Sequence, residues 1–185
     1  MLHMEQKDYK LEILNELLKS KSHIRSIAKK LDINHMNIAR KIKELYNENV
    51  VDYIEEGKNK SFYLKKSIEA KNYVFTAENY KLNKILKKYP SLRRIFERIQ
   101  EYKKIELAIL FGSYAKETAK PESDIDIYIE TNDKNIKKEI EIINNKISVK
   151  IGKYDKSSLL IKEIEKNHII IKGVEKYYEN NGFFE

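Results

Sequence analysis

The chain has 185 residues, with 37 Lys plus Arg against 29 Asp plus Glu, a formal charge of +8 and no cysteine. Packing alone must therefore hold the fold, with no disulfide and no Cys-based metal site. Its 41 % apolar residues exceed what a disordered chain carries. Its longest uncharged apolar runs, such as LAILF at 107–111, are too short for a membrane span or a secretory leader. A cytoplasmic protein without membrane contact is the expectation.

The charge is unevenly spread. Residues 1–66 carry 14 basic and 10 acidic side chains, residues 67–106 carry 10 and 5, and residues 107–185 carry 13 and 14. A basic front half suits a polyanionic partner. A lysine-rich, solvated surface would read the same way.

In chain order, Leu11, Leu14, Leu17 and Leu18 form the apolar stripe of a first helix. Ser22 is the expected cap of a second, whose stripe is Ile24, Ile27, Ala28 and Leu31. Asp32-Ile33-Asn34 reads as a turn, with Asn34 capping a third helix that buries Ile38, Ile42 and Leu45. The outer face of that helix carries His35, Asn37, Arg40, Lys41 and Lys43. Two short β-like runs follow, at 50–54 and 62–64, around a polar segment with a basic tip.

Three helices followed by a hairpin is the order of a winged helix-turn-helix, and residues 8–66 resemble that family. The resemblance implies that the helix from His35 to Asn47 enters the major groove of double-stranded DNA. Its polar side chains would read base edges while Arg40, Lys41 and Lys43 meet phosphates. The wing tip, Lys58, Asn59 and Lys60, would touch the neighbouring backbone or minor groove. The same fold also serves as a dimerisation module.

Residues 67–106 read as helix, broken at Tyr89-Pro90-Ser91, with Leu92, Ile95, Phe96 and Ile99 as the stripe after the break. Lys84, Lys87, Lys88, Arg93 and Arg94 make this the most basic stretch of the chain.

The most specific pattern is 107–129, LAILFGSYAKETAKPESDIDIYI. An apolar strand ends in Gly112-Ser113, ten residues intervene, and a strand of period two follows. Alternation sends Ile125, Ile127 and Ile129 to the core and leaves Asp124 and Asp126 together on the other face. Two carboxylates at i and i+2 on a strand suit Mg²⁺ or Mn²⁺. Gly112 permits close backbone approach, and Ser113 offers a hydroxyl and free N–H groups to a phosphate. The four histidines, His3, His23, His35 and His168, are too scattered for a metal set.

This Gly-Ser, spacer, Asp-x-Asp pattern resembles the polymerase-β nucleotidyltransferase superfamily, and most of all its minimal bacterial and archaeal members. The resemblance spans about residues 92–180, with 157–179 matching the helix, strand and helix that end those domains. It implies catalytic and metal-binding roles for Asp124 and Asp126, and a phosphate grip at Gly112 and Ser113. An NTP, ATP being expected, would be the substrate or ligand. Active members carry a third carboxylate on a neighbouring strand; here 146–151 offers Ser148 and Lys150 on that face. Asp155 follows in the next loop. The family's usual Arg-Gly is replaced by Lys116-Glu117.

The expected architecture is α+β. It comprises a winged helix-turn-helix in 1–66, a helical connector in 67–106 packing partly on the second domain, and a nucleotidyltransferase-like mixed sheet in 107–185. One reading is a DNA-binding, Mg²⁺-dependent nucleotidyltransferase. Like the minimal members of toxin–antitoxin pairs, it would act on a separate protein partner or on a nucleic acid. The alternative is a regulator of transcription whose second domain senses nucleotide or drives assembly, a homo-oligomer included.

Overall fold

Residues 7–184 are described in a computed structural model. They form two compact units that divide inside one helix, between Ala77 and Glu78. His3 lies outside the described residues.

In the first unit, helices α1 (Tyr9–Leu17), α2 (Ile24–Leu31) and α3 (His35–Asn47) precede a hairpin of β1 (Val51–Glu56) and β2 (Asn59–Leu64). Asp8 opens α1 by accepting the Lys10 and Leu11 amides, satisfying donors that a first turn leaves free. Asp32, in the left-handed region at φ 54°, ends α2, and Asn34 caps α3 through the Met36 amide. Leu11, Leu14, Leu17, Ile27, Ala28, Ile38, Ile42 and Leu45 are buried as the stripes require. Ile13 is buried with them, whereas Leu18 becomes the cap residue of α1 and is only half-buried. Three helices and an antiparallel wing make this unit a winged helix-turn-helix.

Two local expectations change. Ser22 does not cap α2: its N–H and C=O both pair with Phe62, so it adds an extended bridge to the hairpin, and His23 becomes the cap residue. The hairpin is longer than its apolar runs, because Gly57 at φ 62° closes a two-residue turn and the polar residues pair from Glu56 opposite Asn59 onward. Only Lys58 of the expected basic tip lies in the turn; Asn59 and Lys60 belong to β2.

Helix α4 (Ile68–Lys88) crosses from the first unit into the second, so the 67–106 stretch is not a separate body. A 3₁₀ turn at Pro90–Leu92 and helix α5 (Arg93–Glu101) follow it. The second unit is built on a mixed sheet of β3 (Ala108–Phe111), β4 (Ile125–Glu130), β5 (Ile147–Gly152) and β6 (Ile169–Lys172), in the order β5-β4-β3-β6. β3 runs antiparallel to β4 and β6, and β4 runs parallel to β5. That parallel pair needs a crossover, supplied by α7 (Lys134–Glu141). One face of the sheet packs Ile125, Ile127, Ile129, Leu110 and Val149 against Ile85, Ile95, Phe96, Ile99, Ile136 and Ile140 from the helices. Helix α8 (Leu159–Lys166), capped by Ser158, precedes β6, and α9 (Val174–Asn181) follows it. Together the units make an α+β chain, and no helix among the described residues is long and apolar enough to cross a membrane.

Candidate functional site

The corner where β3 ends is set by register. Phe111 lies opposite Asp126, so the next residue, Gly112, turns away directly over that aspartate. Its φ is +69°, and a Cβ there would stand 2.3 Å from Asp126 Oδ2 and 3.2 Å from Cγ. Only glycine lets the backbone lie this close to the carboxylate. The short helix α6 (Gly112–Ala115) begins at this point.

Its far end is closed by backbone bonds. The Lys116 amide donates to Gly112 O at 3.1 Å, Glu117 to Tyr114 O at 3.0 Å and Thr118 to Ser113 O at 3.0 Å. The last two form a Schellman closure, whose left-handed residue is commonly glycine. Here it is Glu117, at φ 58°. Tyr114 is buried and meets Tyr89 edge-on at 4.9 Å.

Asp124 and Asp126 come out on the face expected of them, but unequally: Asp124 is exposed just before β4, and Asp126 is half-buried within it. Burial raises the Asp126 pKa, and the Asp124 carboxylate adds to that; Lys150 and Lys116 pull the other way, and Glu163 pushes it up further. Lys116, next to α6, is paired with Glu163 of α8 at 3.2 Å.

On β5, Ser148 stands beside Asp126 and Lys150 beside Tyr128 in the parallel register, so no carboxylate occupies this strand's share of the face. Asp155, in the loop after β5, accepts the amide and the hydroxyl of Ser157. Among the described residues no group of three or more His, Cys, Asp or Glu is placed to hold a metal ion.

In the first unit, His35, Asn37, Arg40 and Lys43 are exposed along α3, as are Lys58, Asn59 and Lys60 on the wing. Two of these cations are engaged within the chain. Lys41 is half-buried and pairs with Glu44 at 3.0 Å, and the Lys60 ammonium sits 3.8 Å from the centre of the Tyr53 ring. The bonds that Lys88 makes to Glu117 join residues 29 apart and carried no local signal; the glutamate in a glycine-type position was the visible clue.

A winged helix-turn-helix unit followed by a mixed-sheet unit with a glycine corner over an aspartate defines the class. Residues 93–176, within the second unit, match the family described as Polymerase beta, Nucleotidyltransferase. No curated protein matches the chain. Among solved structures it is similar to the homodimeric winged helix-turn-helix DNA-binding domain of a possible ArsR-family transcriptional regulator from Mycobacterium bovis. That likeness has 18% identity, a TM-score of 0.32, and covers 45% of this chain and 70% of that one. It is also similar to the adhesin competence repressor AdcR from Streptococcus pyogenes, with 17% identity, a TM-score of 0.37, and 52% and 78% covered. Likenesses this distant carry no functional weight, and the architecture rests on the chain's own elements.

Proposed function

We propose that the second unit binds a nucleoside triphosphate, ATP being the expected one, and transfers its nucleoside monophosphate to an acceptor hydroxyl, while the first unit binds double-stranded DNA. The observation that carries this is the packing of Gly112 on Asp126. It brings the Gly-Ser turn and the Asp-x-Asp strand, separated in sequence, to one corner.

The two carboxylates fit Mg²⁺ or Mn²⁺ arriving with the nucleotide, since Mg²⁺ is commonly held by one or two carboxylates plus substrate phosphates. Burial and the neighbouring Asp124 carboxylate raise the Asp126 pKa, and a bound cation would offset both. When bound, the metal would neutralise triphosphate charge. Asp124 and Asp126 would hold it, and Gly112 and Ser113 would grip phosphate oxygens. Lys116 and Lys150 add two cations to the same neighbourhood. In the transfer, the acceptor oxygen bonds the α-phosphorus as its proton passes to solvent, and the bond to the bridging oxygen breaks, so pyrophosphate leaves. The acceptor is a separate protein or a nucleic acid.

A second reading is favoured by one observation: Ser148 and Lys150 occupy the strand where a third carboxylate would take the acceptor's proton. On this reading the chain is a DNA-binding regulator that senses nucleotide without transferring it, and self-association is one way it would respond.

Incubating the protein with α-labelled ATP, Mg²⁺ or Mn²⁺ and candidate acceptors separates the two. Label transfer that is lost in Asp124→Ala/Asp126→Ala supports the transferase. ATP binding without transfer supports the sensor, and transfer that persists in the double variant removes both carboxylates from the mechanism.

A further inference from the structure

The closure of α6 uses an unfavourable residue. A glutamate at φ 58° brings its Cβ close to the backbone, a cost that the Glu117 amide's bond to Tyr114 O offsets only in part. What holds it comes from α4: Lys88 Nζ donates to Glu117 O at 3.0 Å and to its carboxylate at 2.9 Å. One ammonium thus grips both the main chain and the side chain of the strained residue. A second tie lies alongside, because Tyr89, next to Lys88, meets Tyr114 of α6 edge-on.

We propose that Lys88 is a positioning residue: by clamping Glu117 in the left-handed conformation it keeps the closure of α6 formed, and so holds Gly112 and Ser113 in place over Asp126. The consequence for nucleotide rests on the phosphate-grip reading above; the clamp itself does not. When the clamp opens, Glu117 leaves the left-handed region. The Thr118 amide then loses Ser113 O, and Ser113 is no longer held from its C-terminal side. Glycine at 117 needs no clamp, since it adopts this conformation without the Cβ clash.

The test compares the full chain with Lys88→Met, Glu117→Gly and the double variant Lys88→Met/Glu117→Gly. Amide hydrogen exchange at Glu117 and Thr118 reads the closure, and titration with a fluorescent ATP analogue in Mg²⁺ reads the site. Lys88→Met should speed exchange at both amides and weaken nucleotide binding about threefold to fivefold, the range of an exposed but doubly bonded ion pair. The double variant should recover both. Unchanged exchange in Lys88→Met overturns the clamp, as does failure of Glu117→Gly to restore slow exchange in the double variant. If the wild-type chain binds no ATP analogue, the phosphate-grip reading fails, while the exchange comparison still decides the clamp.

Discussion

At Gly112 a hydrogen stands where any other residue would place a carbon 2.3 Å from the Asp126 carboxylate. Alanine there meets both a steric conflict and a left-handed backbone, the second alone costing about 1–2 kcal/mol. Gly112→Ala should therefore displace Asp126 or the turn, and lose most nucleotide affinity in an ATP titration while the protein stays folded by circular dichroism. A second residue matters for a different reason. Glu78 is buried in the second unit, accepts from the Tyr178 hydroxyl at 2.6 Å, pairs with Lys81 at 2.6 Å and lies 3.6 Å from His168. Burial alone would raise its pKa, but Lys81 and His168 outweigh burial and bring it down to about 2. A pKa lowered on folding stabilises the protein above the unfolded value near 4.5 and is lost as pH falls toward 2. The expected contribution is on the order of 3 kcal/mol. Urea unfolding followed between pH 6 and pH 2.5 should show that loss for the wild type and a shallower one for Glu78→Gln, which also starts lower because Lys81 loses its partner.

At the scale of elements, α3 and the wing divide their cations into two sets. Arg40 and Lys43 are exposed on α3, whereas Lys41 is held by Glu44 and Lys60 lies over Tyr53. If α3 meets DNA phosphates, Arg40→Ala and Lys43→Ala should each lower the slope of log affinity against log salt by about 1. Lys41→Ala should lower it less, because Lys41 must give up Glu44 to bind phosphate. Duplex titrations at several salt concentrations measure both. The elements themselves were largely legible. The stripes of α1 and α3, the Asn34 cap, the proline break and the helix-strand-helix ending all follow from short-range patterns. The apolar alternation of β4 sends Ile125, Ile127 and Ile129 to the core and leaves Asp126 on the other face. What was not legible depends on partners distant in sequence: Ser22 is drawn into an extended bridge by Phe62, and the polar half of the wing pairs because Gly57 allows a tight turn. Within the site, the Gly-Ser and Asp-x-Asp residues were readable as a pair. The Lys88–Glu117 bonds and the Lys116–Glu163 pair were not, because no local spacing joins those residues.

For the whole molecule, the division inside α4 changes what the charge means. Residues 1–77 with 184–185 carry 15 basic and 12 acidic side chains, a net of +3, and residues 78–183 carry 22 and 17, a net of +5. The excess therefore does not belong to the winged helix alone: the basic stretch of 78–106 folds into the unit that holds Gly112 and Asp126. A positively charged unit attracts polyanions of either kind, a nucleic acid or a triphosphate. On the proposed function, the Gly112–Asp126 corner is a metal-dependent nucleotide site. Isothermal titration of ATP into the full chain, with Mg²⁺ and with excess chelator, tests it most directly when repeated on Asp124→Ala/Asp126→Ala. Heat of binding that requires both Mg²⁺ and the two carboxylates is the predicted result. Equal affinity in the double variant, or no binding by the wild-type chain, would contradict it.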